Sequence, residues 1–437
     1  MSLQLIDSNS IPSSKTEIDY FSVPATQVAV EQSTWTVINP VNTVTDAGPY
    51  EFHIPPEPQF MDLSKNYVHM KVKITKNDGT NIADTDNVAP VNLLGKTFFK
   101  QVKLFLGSKL VYDSFDNYAY RAYLETELNY GQSQKSSFLD SAGYSLDTPC
   151  TAVDTVNNTG WVERCTWYAE SATVELMATL HVDLFHQEKY LLNGMDLRLE
   201  LYRHDNPFAL MCFTQNPTFK LHVEDIRWLV KKIELAKPIC MAIEATLMKN
   251  TVKYPIRRVQ VKAIQLAANR RETPVYTIFS GQLPRRIILG MVDATAYYGS
   301  YAKSPFFFQN FAASSIQLLA GGQYIPPNPI TMDYSKDLHV EPFVHFYEAL
   351  GYAGDEKSPW ISLQEYKNSH CLYAFDLSQD HSNSEGHWEL IKEGTVAVDI
   401  HFRTNIPAGG VKLIIFAEFD NMISIDRFRN VYFDYTP

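Results

Sequence analysis

From Tyr67 the chain alternates cleanly: Val68, Met70, Val72 and Ile74 are apolar, while His69, Lys71 and Lys73 are polar. That two-residue period predicts a strand with one buried and one wet face, and Asn77-Asp78-Gly79 supplies a turn after it. Similar runs recur at Val102, Leu104 and Leu106, at Val174 to Val182, at Leu197, Leu199 and Leu201, and at Phe219 to Val230. Further along they resume at Val259 to Leu266, Pro274 to Phe279, Arg286 to Asp293, Ser315 to Leu319, Val396 to Phe402 and Val411 to Phe419. Leu413-Ile414-Ile415-Phe416 is apolar on both faces and predicts a central strand. Many short strands punctuated by Gly, Asn and Pro predict an all-β sandwich or barrel.

One segment breaks the period. Between Asp116 and Tyr130, the residues Tyr120, Tyr123, Leu124 and Leu128 fall at helical spacing, with Asp116 as candidate N-cap and Gly131 as stop. A second helix-compatible run, Met241 to Met248, follows a proline and marks the domain boundary. The expected organisation is an N-terminal arm or edge strand over 1–47, a first β domain over 48–235, a linker over 236–250 and a second β domain over 251–437. No repeat is visible as sequence identity.

A length of 437 residues suits two domains sharing an interface. Aromatics make up 13%, including 25 Tyr and 25 Phe, which fits sheets packed face to face. Lys and Arg number 38 against 49 Asp and Glu, a net charge of -11 without a basic arm. Direct nucleic-acid condensation is therefore not expected. Cys150, Cys165, Cys212, Cys240 and Cys371 form no CxxC pair and are expected to be reduced thiols, implying a cytosolic or nuclear folding compartment. The start Met1-Ser2-Leu3-Gln4-Leu5-Ile6-Asp7 lacks signal-peptide features, and no run reaches the roughly 18 apolar residues of a membrane span. The sequon Asn157-Asn158-Thr159 is accordingly expected to stay unmodified.

Candidate chemistry is sparse. Gly95-Lys96-Thr97 has the end of a P-loop, but Pro90 stands where the first glycine belongs. His181, Asp183 and His186 have metal-like spacing, yet turn hydrogen bonding explains them as well. Cys371 beside His370, with His381, His387 and Glu389 nearby, is adjacent in sequence only, which does not make a catalytic set. The pairs Arg257-Arg258, Arg270-Arg271 and Arg285-Arg286 read as salt-bridged spots at subunit contacts. Pro305-Phe306-Phe307-Phe308-Gln309-Asn310-Phe311 concentrates four phenylalanines, suited either to a core strand or to a subunit interface. No catalytic, cofactor-binding or metal-ligating residue is assigned, and no enzyme is expected.

Several segments resemble the double jelly-roll major capsid proteins of polintons (Mavericks), adintoviruses and related small DNA viruses, which share their architecture with adenovirus hexon. Gln59 to Ile74 is similar to their early strand. Phe98 to Gly107, then Tyr120 to Thr126 and Leu128 to Gly131, are similar to the next strand pair and its helix. Asp183-Leu184-Phe185, Leu191 to Gly194 and Asp196 to Leu199 match the late part of the first jelly roll. Ala417 to Asn421 and Arg429 to Val431 resemble the closing strand of the second.

The resemblance implies two tandem eight-stranded jelly rolls with a few short helices in loops. It further implies homotrimers that form pseudo-hexameric capsomers and tile an icosahedral virion shell assembled in the host cytoplasm or nucleus. Its expected partners are neighbouring trimers, penton and minor capsid proteins and an inner membrane, with no direct sequence-specific nucleic-acid contact. The competing readings are a β-sandwich carbohydrate- or protein-binding module, for which Asp84-Thr85-Asp86-Asn87 is the faint calcium-loop candidate, and a cupin-like enzyme, which would need a denser histidine set.

Overall fold

The computed structural model describes residues 7–435 apart from 8, 12, 14, 215, 216 and 385. The opening six residues, and with them most of the signal-free start, lie outside the described residues. Eight strands build the first half: β1 (Val30–Ile38), β2 (Tyr50–Ile54), β3 (Phe60–Lys76), β4 (Phe99–Leu106), β5 (Lys109–Asp113), β6 (Val174–Ala178), β7 (Leu197–Arg203) and β8 (Phe219–Leu235). Eight more build the second: β9 (Val252–Leu266), β10 (Tyr276–Gln282), β11 (Arg286–Asp293), β12 (Ala313–Ala320), β13 (Gln323–Thr331), β14 (Leu372–Asp376), β15 (Glu393–Phe402) and β16 (Val411–Ile425).

Their pairing is antiparallel throughout and falls into four sheets, ordered β1-β8-β3-β6, β2-β7-β4-β5, β9-β16-β11-β14 and β10-β15-β12-β13. Adding eight to every strand of the first two sheets gives the other two. The chain is thus a double jelly roll whose halves share one topology. Short pairs supplement it, Val88–Pro90 with Leu210–Cys212, and Val431–Phe433 folding back on β16.

The strand chemistry follows its place in these sheets. Val68, Met70, Val72 and Ile74 of β3 are all fully buried, as their alternation requires. β16 runs between β9 and β11, so both of its edges are paired, and Leu413 to Phe416 are buried on both faces, as a central strand requires. β13 holds Pro326, Pro327 and Pro329, and it sits at the sheet margin where missing N–H donors cost no ladder bond. β1, inside the stretch read as arm or edge strand, pairs with β8 alone along one side.

Helices occupy the connections. α1 (Tyr118–Asn129) forms where the helical spacing falls, between β5 and β6. α2 (Lys237–Leu247) joins the two jelly rolls, and α3 (Val340–Leu350) lies between β13 and β14. Each half has its own apolar core, one around Trp228, Phe52 and Leu199, the other around Ile288, Ile415 and Val398. α1 belongs to both: Tyr118 and Ala122 enter the first core, Tyr120, Tyr123, Leu124 and Leu128 the second.

Candidate assembly surfaces and the interdomain seam

Every residue of α1 from Tyr118 to Leu128 is buried, charged ones included. A helix with no wet face must satisfy its charges internally. Arg121 Nε donates to Glu125 Oε1 at 2.8 Å and its Nη2 lies 2.7 Å from Asp183 Oδ1. Asp183 Oδ1 also accepts from the backbone N–H of Val259 on β9, at 3.1 Å, so one carboxylate ties helix, loop and second jelly roll together. Glu125 Oε2 stands 2.5 Å from His181 Nδ1 and 3.5 Å from His186 Nε2. Burial alone would raise the Glu125 carboxyl, but Arg121 and His181 hold it well below the usual range. Burial and the Lys96 ammonium push His181 down to about 3, so its ring is neutral at pH 7.

A second ionic group centres two residues further along the helix, on Glu127. Glu127 pairs with Lys135, accepts from Tyr144 Oη at 3.3 Å and stands 3.8 Å from His370 Nε2 of the second jelly roll. Burial acts to raise this carboxyl, and Lys135 and His370 overcome it, bringing it to about 2. Other contacts between the halves run from Asn117 Nδ2 to the Val261 carbonyl and from Lys189 Nζ to the Lys253 carbonyl, both on β9. Together they cover the side of β9 that does not pair with β16.

The phenylalanine-rich loop closes the same seam. Phe306 and Phe308 are buried, with Phe306 stacked on Tyr123 at 4.4 Å and Phe308 6.2 Å from the same ring. Tyr120 and Phe208 complete the cluster. Both rings belong to the second core, as the core alternative expects, with Phe308 beside Gly290 and Leu372 and Phe306 reaching the first half through Tyr123 and Phe208.

The remaining sequence candidates disperse. Lys96, on a buried helical turn at Leu94–Thr97, points at Thr126 Oγ1 and His181 Nε2 at 3.1 and 3.3 Å, a structural role far from any phosphate loop. Burial lowers its ammonium to about 8. Glu125, His181 and His186 bring ligand atoms within 4.8 Å of one another, but Asp183 turns away to Arg121 and Val259, and both His181 nitrogens already have partners in Glu125 and Lys96. Cys371 is buried against the Tyr334 and Tyr373 hydroxyls, and burial pushes its thiol up to about 11, while His370 faces Ser369 and Tyr123 instead. His387 and Glu389 gather with Asp380 around Ser382 on the loop before β15, away from Cys371.

Within the chain, Arg257 and Arg285 pair with Asp420, Arg286 pairs with Glu418, and Arg271 Nε donates to Asn405 Oδ1 at 3.2 Å. Arg258 lies over the Phe419 ring at 4.5 Å. Sequence reading missed Arg121 and Glu125 because an i,i+4 ion pair on a helix ordinarily marks a solvated face, and Glu127 and Lys135 because they sit on separate helices and meet only in the fold.

What the surface offers is apolar side chains left in water. Trp35 and Val37 of β1, Leu338, Val340 and Val344 at the start of α3, and Trp388, Leu390 and Ile391 before β15 are all exposed.

Two jelly rolls in tandem define the class of fold, and comparison places it among known structures. No family model matches the chain. A chain of the Sputnik virophage particle superposes with a TM-score of 0.66 at 11% identity, covering 99% of this chain and 94% of that one. The mavirus major capsid protein gives 0.55 at 11% identity, with 99% and 98% covered, and a chain of the PBCV-1 virus capsid gives 0.57 at 10%, with 96% and 100% covered. In sequence, an uncharacterized protein of Caenorhabditis elegans is 29% identical over 424 residues, spanning 94% of this chain and 99% of its own.

Proposed function

We propose that this chain is a major capsid protein, a structural subunit that trimerises into pseudo-hexameric capsomers and tiles an icosahedral virion shell. The carrying observation is the duplicated jelly roll, which is shared over 94% or more of their length with the virophage, mavirus and PBCV-1 chains. The interior supports a structural role. Its buried charged side chains pair with one another beside the seam, and Asp183 and Glu127 reach across it to the Val259 N–H and to His370. Burial also holds the Cys371 thiol in its protonated, poorly nucleophilic form. Its location in this reading is the virion, with neighbouring trimers, penton and minor capsid proteins as partners.

Native mass spectrometry of the purified protein tests the reading. A species of three 49.8 kDa chains is the expected result. A species of one chain at every concentration would overturn it and favour a β-sandwich binding module.

A further inference from the structure

The two halves share one topology, yet their equivalent surfaces are covered unequally. In the first half, the connection from β5 to β6 carries a 3₁₀ turn (Phe115–Asn117) and α1, and the connection from β6 to β7 carries a second turn (Asp183–His186). These pieces touch each other through the Arg121–Asp183 and Glu125–His181 pairs, and together they cover β9, the first strand of the second half. In the second half, the connection from β13 to β14 again carries a 3₁₀ turn (Tyr334–Lys336) and a helix, α3. The connection from β14 to β15 again packs on that helix, since Asn383 Nδ2 donates to the Ala349 carbonyl at 3.0 Å. The counterpart of β9 is β1.

Among the described residues, nothing brings these last two surfaces together. α1 is buried from Tyr118 to Leu128, whereas α3 buries only Pro342, Phe346, Ala349 and Leu350 and leaves Val340 and Val344 in water. Leu338 beside it is 63% exposed, and Leu390 of the adjoining loop 77%. On β1, Glu31 to Trp35 are exposed as an unbroken run, with Trp35 at 49%, whereas the equivalent stretch of β9 buries Tyr254 and Ile256. An unpaired strand margin is a pairing liability unless something caps it.

We propose that the α3 face of one copy, centred on Leu338, Val340, Val344 and Leu390, docks on the β1 face of a second copy, centred on Trp35 and Val37. This contact repeats between chains the seam that α1 makes with β9 within one chain. The inference rests on the capsid reading and deepens it by naming which surfaces meet. The contact is head-to-tail: each copy gives one face and receives the other, and such contacts form a ring where the rotation between copies closes. Alternating the internal seam with its intermolecular repeat places six jelly rolls around three chains.

Two surface variants test this. The double variant Trp35→Arg/Val37→Arg spoils only the β1 face, and Val340→Arg/Leu390→Arg spoils only the α3 face. By light scattering, the unaltered protein is expected at three chain masses and each variant at one. An equimolar mixture of the variants is expected at two, because one intact α3 face meets one intact β1 face and the ring cannot close. That recovery also proves both variants folded. Variants that remain trimeric beside a trimeric parent would overturn the assignment of faces and leave the capsid reading standing. Variants that are monomeric alone and still monomeric when mixed would overturn the head-to-tail pairing. A monomeric parent would defeat the capsid reading and this contact with it.

Discussion

His204 shows how a single buried side chain writes itself into the pH response of the whole. Its ring stacks on Phe208 at 3.6 Å, and burial, aided by Lys100 and Arg203, lowers it from 6.5 to about 3. Below pH 6.5 the unfolded chain takes up a proton that the folded chain refuses, so stability falls as pH falls. One proton over 1.5 pH units amounts to roughly 2 kcal/mol. His204→Phe is expected to flatten the melting-temperature profile between pH 6.5 and 5, measured by scanning calorimetry, and an unchanged profile would remove His204 as a cause. His181, also held at about 3, acts in the same direction, and Glu127, held at about 2, adds its loss only below pH 4.5. At Gly290 of β11 the constraint is steric, since an added Cβ would meet Phe308 Cδ1 at 2.5 Å and Leu372 Cδ2 at 2.7 Å. Gly290→Ala is expected to cost about 1–3 kcal/mol in denaturant unfolding, and no cost would mean the aromatic seam is looser than described.

Among the elements, α1 is the piece on which the two halves depend. Arg121 serves Glu125 and Asp183 at once, so Arg121→Met strands two buried carboxylates, at an expected cost of about 3–5 kcal/mol. Equilibrium urea unfolding measures it, and a loss near zero would show that the charges are dispensable to the seam. The existence of α1 was legible from Tyr120, Tyr123, Leu124 and Leu128, but its total burial was not, because the partner surface comes from residues more than a hundred positions later. The strands divide in the same way. β3 and β16 declare themselves by alternation and by doubled apolar faces, whereas β13 hides behind three prolines that only its marginal place in the sheet makes tolerable. β1 hides too, since a strand awaiting its cover looks like a polar arm. The phenylalanine loop was recognisable as something to be buried, while the identity of the covering surface is a property of tertiary structure.

For the whole molecule, the repeated strand order links the seam to assembly. The sequence carries no identity between its halves, so the duplication is readable only when strands are traced through their sheets. The resemblance of its segments, in their order and spacing, to double jelly-roll capsid proteins nonetheless pointed to this fold, because a closed fold constrains where strands and turns fall even as side chains drift. The same drift explains why interface residues could not be read from sequence: Trp35 and Leu390 are distinguished from core residues only by what fails to cover them. The most direct test of the account is negative-stain imaging of the purified protein at high concentration. Particles of six-lobed outline, alone or joined edge to edge in shells, are the result it predicts. Isolated two-lobed particles at every concentration would contradict it.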